Sequence, residues 1–527
     1  MTNDNWWRRA TIYQIYPRSF QDSDGDGIGD LAGVIDRLDY LAWLGVDAIW
    51  LSPFYPSPMK DFGYDVADYC NVDPLFGSLD IFDRLLAQAH ARGLRVIIDL
   101  VPNHTSNQHP WFTESRKSRD NPKRDWYIWR DPARDGGPPN NWRSHFGGSG
   151  WTLDPQTGQF YYHAFLSAQP DLNWRNPDVR AAIHDAMRFW LRRGVDGFRV
   201  DVISHLIKDE LFRDNPPNPD WRGAGPDIAR LTQEFSADRP EVHAVIAELR
   251  SVIDEFPDRV LIGEVYLPIP RLIAYYGASG KGVHFPFNFQ LLDIEWNANR
   301  IAALIEEYEA HLPPNSWPNW VLSNHDRPRI AARVGELQAR LAVMLLLTLR
   351  GTPTFYYGDE LALGDICIPP ERIQDPWALN EPDSGAGRDP ARTPMQWDDS
   401  QFAGFSSREP WLPLSPDHKT RNIATMTNDE ASMLCLVRQL LRLRRSSKAL
   451  ALGCWRRLES PTDILFFERR DGEECIFVAL NFGADPGVLP LPASGRIALS
   501  TYAGREISET GASLSIYGEE GVIIIAQ

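Results

Sequence analysis

The sequence predicts an α/β fold: a (β/α)8 TIM barrel with an inserted subdomain after strand 3 and a C-terminal antiparallel β-sandwich domain. Three observations predict it. Eight short apolar runs punctuate the chain up to Gly358, with helical patterns between most of them. The stretch from His104 to Arg175 lacks a clean helix and is too long for an ordinary loop. Beyond about residue 455 the hydrophobic pattern changes to period two.

The eight runs are IYQIYP (12–17), AIWLSP (48–53), RVIIDLV (95–101), GFRVDV (197–202), VLIGEV (260–265), VHFPFNF (283–289), NWVLSNHD (319–326) and TPTFYYG (352–358). Buried parallel strands read as continuous apolar runs. One intervening helix is readable in detail. Asn176 is a good N-cap and Pro177 suits the first helical position. Ile183, Met187, Trp190 and Leu191 then share one face, and Gly194 is the stop signal. DILFFERR, ECIFVALNF and GVIIIAQ read as antiparallel strands, with RRDGEE as a turn. The expected organisation is residues 1–103 and 176–450 as barrel, 104–175 as inserted subdomain and 451–527 as C-terminal β domain. Two further excursions, 214–227 and 364–411, follow strands four and eight.

Composition narrows the function. The 527 residues are 43% hydrophobic and include 19 Trp, and the formal net charge is −17. That charge disfavours nucleic-acid phosphates and anionic membranes as partners. Five cysteines with no CxxC spacing suggest neither a disulfide framework nor a zinc site. The N-terminal stretch lacks the apolar run of a signal peptide. LAVMLLLTL (341–349) is shorter than the roughly 20 residues a membrane span needs. A cytoplasmic protein, monomer or homodimer, is expected.

In a barrel the chemistry sits at the C-terminal ends of the strands. Asp99 with Asn103-His104, Arg199 with Asp201, Glu264, and His325-Asp326 close strands three, four, five and seven. Carboxylates ending apolar strands are costly unless paired or functional. Several at one barrel mouth suit glycoside hydrolysis, in which one carboxylate attacks or activates water and a second, protonated, serves the leaving oxygen. Glu264, flanked by Leu261, Ile262, Val265 and Tyr266, is the expected acid, because apolar surroundings raise a carboxyl pKa. Asp201, two residues from Arg199, is the expected ionised group.

The ordered segments DLVPNH (99–104), GFRVD (197–201), GEV (263–265) and NHD (324–326) resemble the four conserved regions of the α-amylase family, glycoside hydrolase family 13. The resemblance covers essentially the whole chain. It implies a retaining enzyme with Asp201 as nucleophile, Glu264 as general acid/base and Asp326 as transition-state stabiliser. It places Arg199, His104 and His325 around the cleaved sugar, with Asp99 as a support for strand three. No cofactor is implied for catalysis.

QPDLNW (169–174), DFGYD (61–65) and GRDPARTPMQW (387–397) resemble the oligo-1,6-glucosidase and α-glucosidase branch. There Asp61 and Arg388 would cap the non-reducing glucose, with Arg392 the second choice of arginine. Tyr64 would stack beneath the sugar, with Phe146, Phe165 and Gln169 on the pocket walls. Core packing is the competing expectation for both phenylalanines. Val202, after the nucleophile, resembles α-1,6-preferring members, and Ser204-His205 replaces the usual Lys-His. The expected activity is exo release of glucose from short α-glucosides, α-1,6 and/or α-1,4, with transglucosylation. A sucrose- or trehalose-acting isomerase or hydrolase is the alternative, and a non-catalytic transporter partner a remote one.

DSDGDGIGD (22–30) begins like an EF-hand loop, but its twelfth position is Gly33 rather than a bidentate Glu. Asp22, Asp24, Asp26, the Ile28 carbonyl and Asp30 are nevertheless hard-oxygen donors. The branch resembled here holds Ca²⁺ or Mg²⁺ in this loop, which implies a structural clamp away from the sugar.

Overall fold

The structure, a computed structural model, describes residues 5–527; the first four residues of the N-terminal stretch read above lie outside it. All eight expected strands form: β1 (Ile12–Ile15), β2 (Ala48–Leu51), β3 (Arg95–Leu100), β4 (Gly197–Val200), β5 (Val260–Gly263), β6 (Phe285–Pro286), β7 (Asn319–Val321) and β8 (Thr352–Tyr356). They pair in parallel in the order β7-β8-β1-β2-β3-β4-β5-β6. The result is a nearly closed barrel whose seam lies between β6 and β7. The run 283–289 yields only a two-residue strand; Pro286 brings no N–H to a ladder there.

Side chains alternate along each strand. Ile12, Ala48, Trp50, Ile97, Val260 and Ile262 form one cluster inside the barrel. Their neighbours Tyr13, Ile49, Leu51, Val96, Ile98 and Leu261 belong to the larger core between strands and helices. Asp99 shares the parity of Ile97, Glu264 that of Ile262, and Asp201 that of Arg199. The pairings Asp99↔Arg199 and Arg199↔Ile262 set all three strand ends at one level. Asp201 and Glu264 stand one residue beyond their strands, and His325-Asp326 four and five beyond β7, so these groups lie at the mouth rather than within the ladder.

The helix after the inserted segment spans Pro177–Arg193. Asn176 caps it through Asp178 N–H, and Gly194 ends it at φ 106°. Ile183, Met187, Trp190 and Leu191 are all buried.

Between β3 and that helix, Trp129–Arg130, Trp151–Asp154 and Gln159–Tyr162 form a small antiparallel sheet over Ile128, Trp142, Trp151, Phe160 and Tyr162. The segment is not helix-free as expected. Pro110–Ser115 forms a short helix, begun by proline and capped by His109, whose ring nitrogen accepts Trp111 N–H.

The C-terminal strands form a six-stranded and a two-stranded antiparallel sheet. Ile464 and Phe466 face the smaller sheet's cluster, while Leu465 and Phe467 join the barrel core. Period two thus buries both faces. Among the described residues no helix is long and apolar enough to cross a membrane, and all five cysteines are free.

Candidate active site

Arg199 is fully buried at the end of β4. One terminal nitrogen, Nη1, donates to Asp99 Oδ1 at 2.6 Å and Asp201 Oδ1 at 2.8 Å. The other, Nη2, lies 2.8 Å from Glu264 Oε1. Three carboxylates from three strands therefore meet on one guanidinium, whose planar fork suits several partners. Glu264 Oε2 also accepts the N–H of Val202 at 2.8 Å. To aim that N–H, Val202 adopts φ 36°, ψ 48°, a strained conformation for a β-branched residue. Gly263 stands close beside it: a Cβ there would lie 2.3 Å from Ile203 Cδ1 and would displace that methyl group.

The shared cation changes the expected electrostatics. Burial first, then the charge of Glu264, pushes Asp201 well above the ordinary carboxylate range, against the opposing pull of Arg199. Burial likewise raises Glu264, with Arg199 opposing and Asp326 adding to the rise. Asp99 is pushed up to about 6, again by burial first. The sequence reading had Arg199 holding Asp201 alone. Its single charge is divided among three carboxylates, so burial and mutual repulsion raise both Asp201 and Glu264 above the ordinary range.

Asp326 is the opposite case. Burial alone would raise it, but His325, Arg388 and Arg392 hold it well below the usual range. Arg392 Nη2 contacts it at 2.8 Å, His325 Nε2 at 3.1 Å and Arg388 Nη1 at 3.3 Å. His325 is buried and neutral-leaning. It stacks on Tyr64 with ring centroids 5.3 Å apart, and its Nε2 lies 2.8 Å from the Tyr64 hydroxyl. Gln14 Nε2 faces Nδ1 at 2.8 Å, so in that arrangement Nδ1 accepts and Nε2 carries the proton.

Arg388 Nη2 meets Asp61 Oδ1 at 2.8 Å, as the resemblance implied. Arg392, the second choice, instead binds Asp326 and the His325 carbonyl. Asp375 was not singled out from the sequence. It is fully buried, binds Arg388 Nη2 at 2.6 Å and caps the helix Pro376–Asn380. The pair Asp375-Pro376 is a helix-start signal that would have drawn attention to it.

A cavity of about 760 Å³ is lined by Asp61, Tyr64, His104, Phe146, Phe165, Asp201, Glu264, His325, Asp326 and Arg388. Both phenylalanines are therefore pocket walls. Two expected lining residues stand behind the wall instead. Gln169, fully buried, bridges Asp61 Oδ2 at 3.0 Å and His104 Nε2 at 3.2 Å. Arg199 lies beneath the carboxylates it binds. Trp377, Tyr266 and the apolar loop residues Ile228 and Leu231, which carry no local signal for this role in the sequence, also line the cavity.

In the loop after β1, carboxylate oxygens of Asp22, Asp24 and Asp30 converge within 4.8 Å of one another. Asp26 is not in that group; its Oδ1 accepts Ile28 N–H instead. Asp30 also caps the helix Leu31–Asp36. Three close carboxylates suit a hard divalent cation. None of them lines the cavity.

Removing Arg199 gives a signed prediction. In Arg199→Met the folded-state pKa values of Asp99, Asp201 and Glu264 rise further above their unfolded values. The folded state then binds more protons, so stability falls as pH rises through the folded pKa range. Thermal unfolding should show a larger deficit against wild type at about pH 8 than at about pH 5. An equal or smaller deficit at the alkaline value contradicts the shared-cation account.

Residues 14–453 match the α-amylase catalytic domain. The chain is 44% identical to a probable α-glucosidase of Rhizobium meliloti (strain 1021), covering 93% of this chain and 91% of that protein. It is 38% identical to an oligo-1,6-glucosidase of Parageobacillus thermoglucosidasius, covering 92% of each. Among solved structures, the α-glucosyl transfer enzyme XgtA superposes with a TM-score of 0.94 at 42% identity, all of both chains being covered. The chain thus belongs to the α-amylase family and is a glycoside hydrolase similar to its α-glucosidases and oligo-1,6-glucosidases.

Proposed function

We propose that this enzyme is an exo-acting, retaining α-glucosidase that releases glucose from the non-reducing end of short α-glucosides and also transfers it to sugar acceptors. The observation that carries the reading is the placement of the Asp201–Glu264 pair in the same cavity as the Arg388–Asp61 ion pair. The carboxylate pair supplies a nucleophile and a proton; the ion pair gives the last sugar hydroxyls a charged, fixed partner.

In this reading Asp201 Oδ attacks the anomeric carbon while Glu264 gives its proton to the leaving oxygen. Substrate binding fixes the pair's single proton on Glu264, where the leaving oxygen shares it. Glu264, now ionised, takes a proton from water or from a sugar hydroxyl, whose oxygen releases the glucosyl group from Asp201. Asp326 stays ionised throughout and accepts hydrogen bonds from sugar hydroxyls. Tyr64, stacked on His325, offers a platform for the ring. Val202 lines the cavity beside Asp201, and its resemblance to α-1,6-preferring members favours α-1,6 linkages. The name of the similar transfer enzyme supports transglucosylation.

The deciding experiment assays isomaltose, maltose, sucrose, trehalose, nitrophenyl α-glucoside and starch, with product analysis. Glucose from the short substrates is expected, with activity falling roughly three orders of magnitude or more in folded Asp201→Asn and Glu264→Gln. Internal cleavage of starch without glucose release from short substrates overturns the exo reading. Rearranged disaccharides from sucrose or trehalose, in place of glucose, favour the isomerase alternative. Near-normal turnover in either variant overturns the assigned roles.

We also propose a structural Ca²⁺ or Mg²⁺ held by Asp22, Asp24 and Asp30. It would neutralise three close carboxylates and fix the loop after β1, with no part in the chemistry. Chelation should lower the thermal midpoint while leaving initial activity at low temperature unchanged. Immediate loss of activity with an unchanged midpoint contradicts that role.

A further inference from the structure

Phe146 borders two cavities. On one side is the cavity of the carboxylates. On the other is an outer recess of about 420 Å³, formed by Gly147, Gly148, Gly225, Asp227, Arg230 and Glu381 among others. The Phe146 ring packs against Trp377, 5.6 Å between centroids, and lies 4.8 Å from the Arg388 guanidinium. The partition between the two spaces thus stands beside the Arg388–Asp61 pair.

Three loops distant in sequence hold that partition by mutual ties. Asn380 Nδ2, in the excursion after β8, donates to the Phe146 carbonyl of the inserted segment at 3.2 Å. Glu381 Oε1, next in sequence, accepts Asp227 N–H of the loop after β4 at 2.9 Å. Asp227 Oδ2 returns to the inserted segment through Arg143 Nη1 at 2.8 Å. Glu381 Oε2 also accepts the Trp377 indole N–H at 3.0 Å, which orients the ring that packs against Phe146 on the inner cavity's side. Gly147, at φ 90°, permits the close approach: a Cβ would lie 2.7 Å from Glu381 Cγ. The same short helix begins at Asp375, which holds Arg388. One element therefore sets both the arginine and the wall beside it.

We propose that this three-way tie is the enzyme's length filter. It holds Phe146 and Trp377 as a closed wall, so that a chain cannot continue past the glucosyl unit bound by Asp61 and Arg388 into the outer recess. The inference rests on the exo reading above and names the residues that enforce it. The recess is lined by an arginine, two carboxylates and glycine backbone, groups that hydrogen-bond a neutral sugar. It would accept a further glucosyl unit once the wall loosens. Glu381, Asn380 and Arg143 act here as positioning residues, because they hold the wall rather than the substrate.

The test compares wild type, Asn380→Ala/Glu381→Ala, Glu381→Gln and Arg143→Ala. The substrates are nitrophenyl α-glucoside and maltoheptaose, with chromatography of the products. The double variant should keep its activity on the short substrate while its kcat/KM ratio for maltoheptaose over the glucoside rises about tenfold or more. Maltose and longer fragments should appear early. Glu381→Gln, which keeps an acceptor for Asp227 N–H, should shift less, and Arg143→Ala should shift in the same direction as the double variant. If the double variant does not fold, the two single variants decide. An unchanged ratio with glucose as sole early product in folded variants overturns the filter, as does a parallel loss on both substrates. Early maltose from the wild-type enzyme instead refutes the exo reading on which the filter rests, so the two failures are separable.

Discussion

The guanidinium of Arg199 is the point on which the rest of the site depends. It is a permanent charge with no exposure, and such a charge is costly unless its donors are matched by acceptors. The barrel supplies carboxylates from neighbouring strands: Asp99 from β3 and Asp201 after β4 accept from Nη1, and Glu264 after β5 pairs with Nη2 by charge, while Nε has no hydrogen-bond partner among the described residues. The converse constraint is as strong. Three buried carboxylates around a single positive charge cannot all ionise cheaply. The pair nearest the cavity is pushed above the ordinary carboxylate range, and in the proposed reaction one proton held between the two serves acid and nucleophile.

A second charged group sits across the cavity under the opposite rule. Asp326 meets two arginines, Arg388 and Arg392, beside the neutral His325, and is held ionised. The two halves of the site therefore differ in protonation because of their ratio of cations to carboxylates, not their burial, which is deep in both. The arginine that links Asp326 to Asp61 and Asp375 also ties the chemistry to the loops that shape the cavity.

Much of this was legible in the sequence where a local signal carried it. Apolar runs marked all eight strands, and an N-cap, proline and glycine marked the helix 177–193. Groups one step beyond a strand, such as Glu264 and Asp201, inherit the strand's inward parity and so announce themselves. Relations closed through space did not. Arg388 and Asp61 lie 327 residues apart, and only resemblance paired them. The helix-start pair Asp375-Pro376 marks a cap, but the cap alone does not show that Asp375 also holds Arg388. Gln169 and Arg199 were placed at the wall because residue type does not reveal depth. Asp26 fits the donor spacing of the acidic loop but lies outside the close group of Asp22, Asp24 and Asp30. The rise in Asp201 is a related case: Arg199 is its neighbour in sequence, while the competing carboxylates arrive from other strands.

The most direct test of the shared-cation account is an infrared titration of the protonated-carboxyl band in the ligand-free enzyme, compared with Asp201→Asn and Glu264→Gln. Ordinary carboxylates are ionised above about pH 5. The account predicts that wild type retains a carboxylic acid band well above that pH. Either substitution should weaken that band without abolishing it, because the remaining carboxylate has Arg199 with one competitor fewer while Asp99, pushed up to about 6 by burial, still contributes. A wild-type spectrum with every active-site carboxyl ionised at that pH would contradict it.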